Sequence, residues 1–130
     1  MSEKRECTIV LQGETPSKKN SRINTRSGRS FPSKRYVKWH NDAIEQICKQ
    51  QMTGKILSIG NDKQAKLTAV FYHGDKKRRD SDNQLSSILD TLVDAGVLVD
   101  DCWSVIPEKH IFDIFDKDNA RCVITLVLMD

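Results

Sequence analysis

Asp80 and Asp82 stand one residue apart, directly behind four cations, Lys76, Lys77, Arg78 and Arg79. A second acidic pair, Asp100 and Asp101, follows further along the chain. Clustered carboxylates hold hard divalent cations such as Mg2+ or Mn2+ through oxygen alone. Cation runs attract a polyanion. The combination points to metal-assisted chemistry on nucleic-acid phosphates, in which a bound ion lowers the pKa of water, orients the phosphate and stabilises the leaving oxygen. Taken singly, each motif has a plainer explanation. Asp-x-Asp-Asn is good capping chemistry, and carboxylates are favoured at a helix N-terminus. The adjoining cations shift the balance towards catalysis.

These residues need elements to position them. Leu85, Ile88, Leu89, Leu92 and Val93 recur at helical spacing, and Gly96 suits the end of that helix. If Asp82 and Asn83 cap it, the helix is about 13 residues and roughly 20 Å long. Residues 97–101, extended, cover about 16 Å. The returning chain can then bring Asp101 level with Asp82. Three carboxylates in a small volume repel one another, and a divalent cation removes that conflict.

The other elements follow from pattern. Residues 7–12 read as a first strand, and residues 13–34 as a long polar loop of the functional or mobile kind. A helix is expected from about Ser33 to Met52, with Val37, Ala43, Ile44, Ile47 and Cys48 as its apolar stripe. Strands are expected at residues 66–73 and 104–112, with Pro107 pushing the latter to an edge or bulge. Residues 121–129 form a closing strand. The order β-α-β-α-β-β predicts one α/β domain over residues 1–130, with a mixed sheet and two main helices.

Composition bounds the remainder. The chain of 130 residues suits a single domain. A mean hydropathy of −0.53 implies a thin core, which leaves room for an oligomer interface. The net charge of +3 is modest, but residues 17–38 carry eight cations and no acid. Cys7, Cys48, Cys102 and Cys122 lack metal-ligand spacing and read as free thiols, with Cys7, Cys48 and Cys122 in the core. His40, His73 and His110 are scattered, which argues against a zinc site. No stretch approaches a membrane span or a signal peptide, so a soluble, cytoplasmic protein is expected.

The pattern Arg78-Arg79-Asp80-Ser81-Asp82-Asn83, then Asp90-Thr91-Leu92, Asp94-Ala95-Gly96, Asp100-Asp101 and Val105, resembles the RusA-like Holliday junction resolvases. Pro16-Ser17-Lys18-Lys19-Asn20 is similar to a loop of that family. The resemblance implies a homodimeric, Mg2+-dependent endodeoxyribonuclease of a family often carried by phages. Such enzymes act in DNA recombination and repair, nicking two opposing strands of a four-way junction and leaving 5′-phosphates. It implies that Asp80, Asp82 and Asp101 are catalytic and bind the metal. It implies that Ser17, Lys18, Lys19, Asn20, Lys76, Lys77, Arg78 and Arg79 contact DNA.

One departure stands out. The family pattern D-x-D-N-L-x-K carries a lysine where this chain has Ser86, and Gln84 replaces an apolar residue. Lys18, Lys19 or Lys77 is a candidate substitute. The alternatives to an active resolvase are a non-catalytic branched-DNA-binding protein of the same fold, which Ser86 favours, and a protein-interaction domain with solvating charges.

Overall fold

Strand-forming runs at both ends and in the middle of the chain meet in one sheet in the computed structural model, which describes residues 5–17 and 22–130. In chain order the elements are β1 (Glu6–Gln12), β2 (Arg22–Asn24), β3 (Ser30–Pro32), α1 (Lys34–Gln51), β4 (Gln64–His73), α2 (Ser81–Asp94), β5 (Glu108–Phe115) and β6 (Arg121–Met129). The sheet order is β1-β6-β4-β5. β6 runs antiparallel to both β1 and β4, while β4 and β5 are parallel. A parallel pair needs a crossover, and α2 supplies it. The mixed α/β sheet and the two helices are as the sequence predicts.

Register explains which side is covered. Ile9, Ile124 and Ala69 form one row across the sheet, Leu11, Cys122 and Phe71 the next, and all are buried. They pack in one core with Ala43 and Ile47 of α1 and Ile88 and Leu92 of α2. The alternate row, Val10, Val123, Val70 and Phe112, is half-buried to exposed.

Several boundaries differ from the sequence reading. The expected loop over residues 13–34 contains the β2–β3 hairpin, joined by Arg22↔Pro32, Ile23↔Phe31 and Asn24↔Ser30 pairs. Its three-residue strands are almost wholly exposed, so they carry no alternation to detect. β5 starts at Glu108, after Pro107, because residues 102–106 are a turn in which the Val105 and Ile106 amides donate to Cys102 O. Within α1 the buried residues are Tyr36, Ala43 and Ile47, whereas Val37 and Cys48 are exposed. Cys48 is therefore not a core residue; Cys7 and Cys122 are, and none of the four is in a disulfide. Burial, with the Glu14 charge, pushes the Cys122 thiol up to about 12. Among the described residues, no helix is long and apolar enough to cross a membrane.

Candidate active site

The head of α2 is built by Asp80. Its backbone is extended, and its side chain accepts from the Asp82 amide at 3.1 Å and from Asn83 Nδ2 at 3.2 Å. The cap is thus Asp80, two residues before the Asp82 that the sequence suggested, and its carboxylate satisfies an amide the helix leaves orphaned. Asp82 follows in the first turn, exposed. Arg78, Arg79, Asp80, Ser81 and Asp82 line an open cleft. A second pocket adjoins it, sharing Arg78, Arg79 and Asp80 and adding Glu14, Ser17 and Arg35.

Behind the cleft lies an ionic network that sequence reasoning missed. His73, at the end of β4, sits between two carboxylates, with Nδ1 2.9 Å from Glu14 Oε2 and Nε2 2.7 Å from Asp113 Oδ1. Burial alone would lower its pKa, but the Asp113 and Glu14 hydrogen bonds outweigh it and the pKa is raised. Asp113 also accepts from Ser81 Oγ at 2.7 Å, tying α2 to β5. Glu14 meets Arg79 Nε at 3.4 Å. Arg79 is gripped by both oxygens of Asp75, at 2.7 and 3.2 Å. That guanidinium and the Lys77 amide hold the Asp75 carboxyl down at about 2.

Gln84, the residue that replaces an apolar one, is buried inside this network. Its amide donates to Glu14 Oε2 at 2.9 Å and to Thr15 O at 2.7 Å. One turn on, Ser87 Oγ donates to Pro16 O at 2.7 Å. The three bonds tie residues 14–16 onto α2, beside Asp80.

The expected site residues fall into groups. Asp80 and Asp82 share one turn of the cleft. The structure does not gather Asp101 with them: among the described residues, the group of three metal-ligating side chains with atoms within 4.8 Å of one another is His40, Asp90 and Asp94. Asp101 lies past the end of α2, exposed, its amide capped by Asp100. Lys76, Lys77 and Arg78 are exposed, with Lys76 Nζ over the Phe115 ring. Arg79 is part-buried in its carboxylate grip. Ser17 lines the adjoining pocket. Lys18, Lys19 and Asn20 lie outside the described residues. Ser86 is exposed and donates to Asp82 O at 3.2 Å, the ordinary back-bond of a helical serine.

His40, Asp90 and Asp94 bridge the two helices. His40 Nε2 meets Asp94 Oδ2 at 2.8 Å and Nδ1 meets Thr91 Oγ1 at 3.0 Å, so both ring nitrogens are engaged. A helix–helix clamp accounts for the contacts.

Glu14, His73, Asp75 and Asp113 had no motif to announce them, because they come from four different segments. Arg35 was visible only as one cation among eight. Exposed oxygen-only donors at the Asp80–Asp82 turn suit a hard divalent ion, and the cations around them suit a phosphodiester.

An acidic turn in an arginine-walled cleft, carried on a mixed α/β sheet, is the equipment of a phosphodiester-handling protein. The family model of endodeoxyribonuclease RusA matches residues 13–127. The chain belongs to that family, and its role is that of a nuclease acting on DNA. A search of curated proteins finds no match.

Proposed function

We propose that the protein is a divalent-metal-dependent endonuclease that resolves four-way DNA junctions by paired, opposed nicks. The observation that carries this reading is the placement of Asp80 and Asp82 together at the head of α2, in a cleft walled by Arg78 and Arg79, with Arg35 in the adjoining pocket. Asp80 and Asp82 would hold Mg2+ or Mn2+, which when bound supplies an activated water and charge neutralisation at the phosphate; Asp101, which stands apart from them in the described structure, is not counted among the ligands. Lys76, Lys77, Arg78 and the segment at Ser17 hold the DNA backbone. Arg35 offers the cationic group that Ser86 cannot, as a guanidinium donor to a phosphate oxygen.

With Mg2+ or Mn2+, the purified protein is expected to cut a synthetic four-way junction in opposed strands and to spare linear duplex. EDTA stops the cutting, and binding weakens steeply with salt through counterion release. Ser86 favours a second reading, a branched-DNA-binding protein without catalysis. Junction binding with no cutting under either metal would establish that second reading. No junction binding at all would sink both.

Two active sites per junction require two copies. The row Val10, Val123, Val70 and Phe112 and the unpaired edge of β5, with Phe112, Ile114 and Phe115 exposed, give a second copy an apolar face to cover. Sedimentation is expected to show a dimer for the wild type and a monomer for Phe112→Asp. A dimer undisturbed by Phe112→Asp would move the interface elsewhere.

A further inference from the structure

The β2–β3 hairpin and the first turns of α1 enclose a groove that the cleavage cleft does not use. Its floor is Ile23, Phe31, Pro32 and Val37. Ile23 and Phe31 are direct cross-strand partners. Ile23, Phe31 and Val37 are 42%, 43% and 44% exposed, so three large apolar side chains share one open surface. At about 520 Å³ the groove is within the size range of small-ligand clefts.

The rim is cationic. Lys34 and Lys38 line it, and Asp42, the one acid there, is paired with Lys38 at 2.9 Å. Arg22 is braced across the hairpin, Nε to Ser30 Oγ and a terminal nitrogen to Ser30 O, both at 2.7 Å. Arg26 and Arg29 sit in the hairpin's exposed connection. With Lys38 paired to Asp42, Lys34 on the rim and the hairpin's arginines leave this surface net basic, which disfavours an apolar protein segment and favours a polyanion. An apolar floor on such a basic surface fits the one flat, apolar part of a polyanion, the face of a nucleobase. Stacked duplex hides those faces, while unpaired or branch-point bases present them.

Position supports the same occupant. Lys34 lines the groove and its neighbour Arg35 lines the pocket that contains Asp80. One turn of α1 therefore borders both, and a strand passing Asp80 reaches the groove without leaving the basic surface.

We propose that this groove receives an unstacked base of branched DNA, held against the Phe31 ring. The proposal rests on the reading of branched DNA as substrate and adds how the branch is told from duplex. Ile23 and Val37 bound the slot, and Lys34 takes a flanking phosphate.

The test measures binding in EDTA, so that cleavage plays no part. Phe31→Ala should weaken affinity for a four-way junction between roughly fivefold and a hundredfold, with linear duplex affinity unchanged. Phe31→Trp should restore junction binding and Phe31→Leu should not. A 2-aminopurine at the branch point should change fluorescence on binding wild type but not Phe31→Ala. Wild-type junction affinity in Phe31→Ala would overturn the proposal. So would equal loss on junction and duplex, or full binding by Phe31→Leu, since burial without stacking would then suffice. A change in sedimentation with unaltered DNA binding would assign the groove to a protein partner instead. If the wild type shows no preference for a junction, the junction reading fails separately. Stacking is then decided on single-stranded DNA carrying 2-aminopurine, where Phe31→Ala must lose the signal for the proposal to stand.

Discussion

Asp80→Asn should reduce junction cleavage by at least roughly two to three orders of magnitude, the usual cost of removing one charge-stabilising group from an active site, while leaving junction binding and the fold intact. The structure makes asparagine the informative choice. Asp80 holds two positions at once: it faces the cleft, and it caps α2 through the Asp82 amide. Asparagine ranks with aspartate as an N-cap, so its amide oxygen can keep that bond. It removes the charge that a divalent cation needs. Asp80→Ala removes both functions and should add a destabilisation of about 1 kcal/mol. Comparing the two by cleavage rate and by chemical denaturation separates the chemistry from the scaffold. Asp82→Asn, which disturbs no cap, should lose cleavage to a similar degree. A purified Asp80→Asn protein that nicks a junction at the wild-type rate would end the metal-ligand assignment.

The parts of this site that the sequence disclosed are the parts contained in single segments. The α2 stripe from Leu85 to Leu92 lies buried as its period predicts, and β6 has the bounds its strand-formers suggest. Asp80 and Asp82 are adjacent in the chain, so no fold is needed to bring them together. Glu14, His73 and Asp113 belong to a loop, the end of β4 and β5, and only the sheet register makes them neighbours. Gln84 shows the limit most clearly. By pattern it interrupts an apolar face. In space it is the buried donor that ties Glu14 and Thr15 to α2. The reach of Asp101 was argued from chain length, which sets how far a segment can travel and not where it goes. The hairpin was invisible for a related reason: Ile23 and Phe31 point to solvent rather than to a core, so no burial pattern marks them.

The network behind the cleft carries the other large expected effect, and its sign is unusual for a site rich in carboxylates. His73 has a raised pKa because Asp113 and Glu14 overcome the cost of burial. A group whose pKa rises on folding contributes stability that is fully present below its unfolded value, about 6.5, and is lost as pH climbs through the folded value. The His73 contribution is therefore largest in mild acid and fades above neutrality. His73→Ala should cost about 2 kcal/mol near pH 6, as expected for charge-assisted bonds between part-buried partners. The range for fully buried pairs is higher, but Asp113 is nearly half exposed and is discounted accordingly. The gap between wild type and variant should shrink as pH rises to about 9, read by chemical denaturation at each pH. Taking the difference cancels groups that titrate in both proteins. A gap that widens with pH would mean the imidazole folds neutral and that the network is not ionic. Asp113 also holds Ser81, the first residue of α2. The same variant should therefore loosen the turn that presents Asp80 and Asp82, and lower the cleavage rate even at temperatures where the protein remains folded.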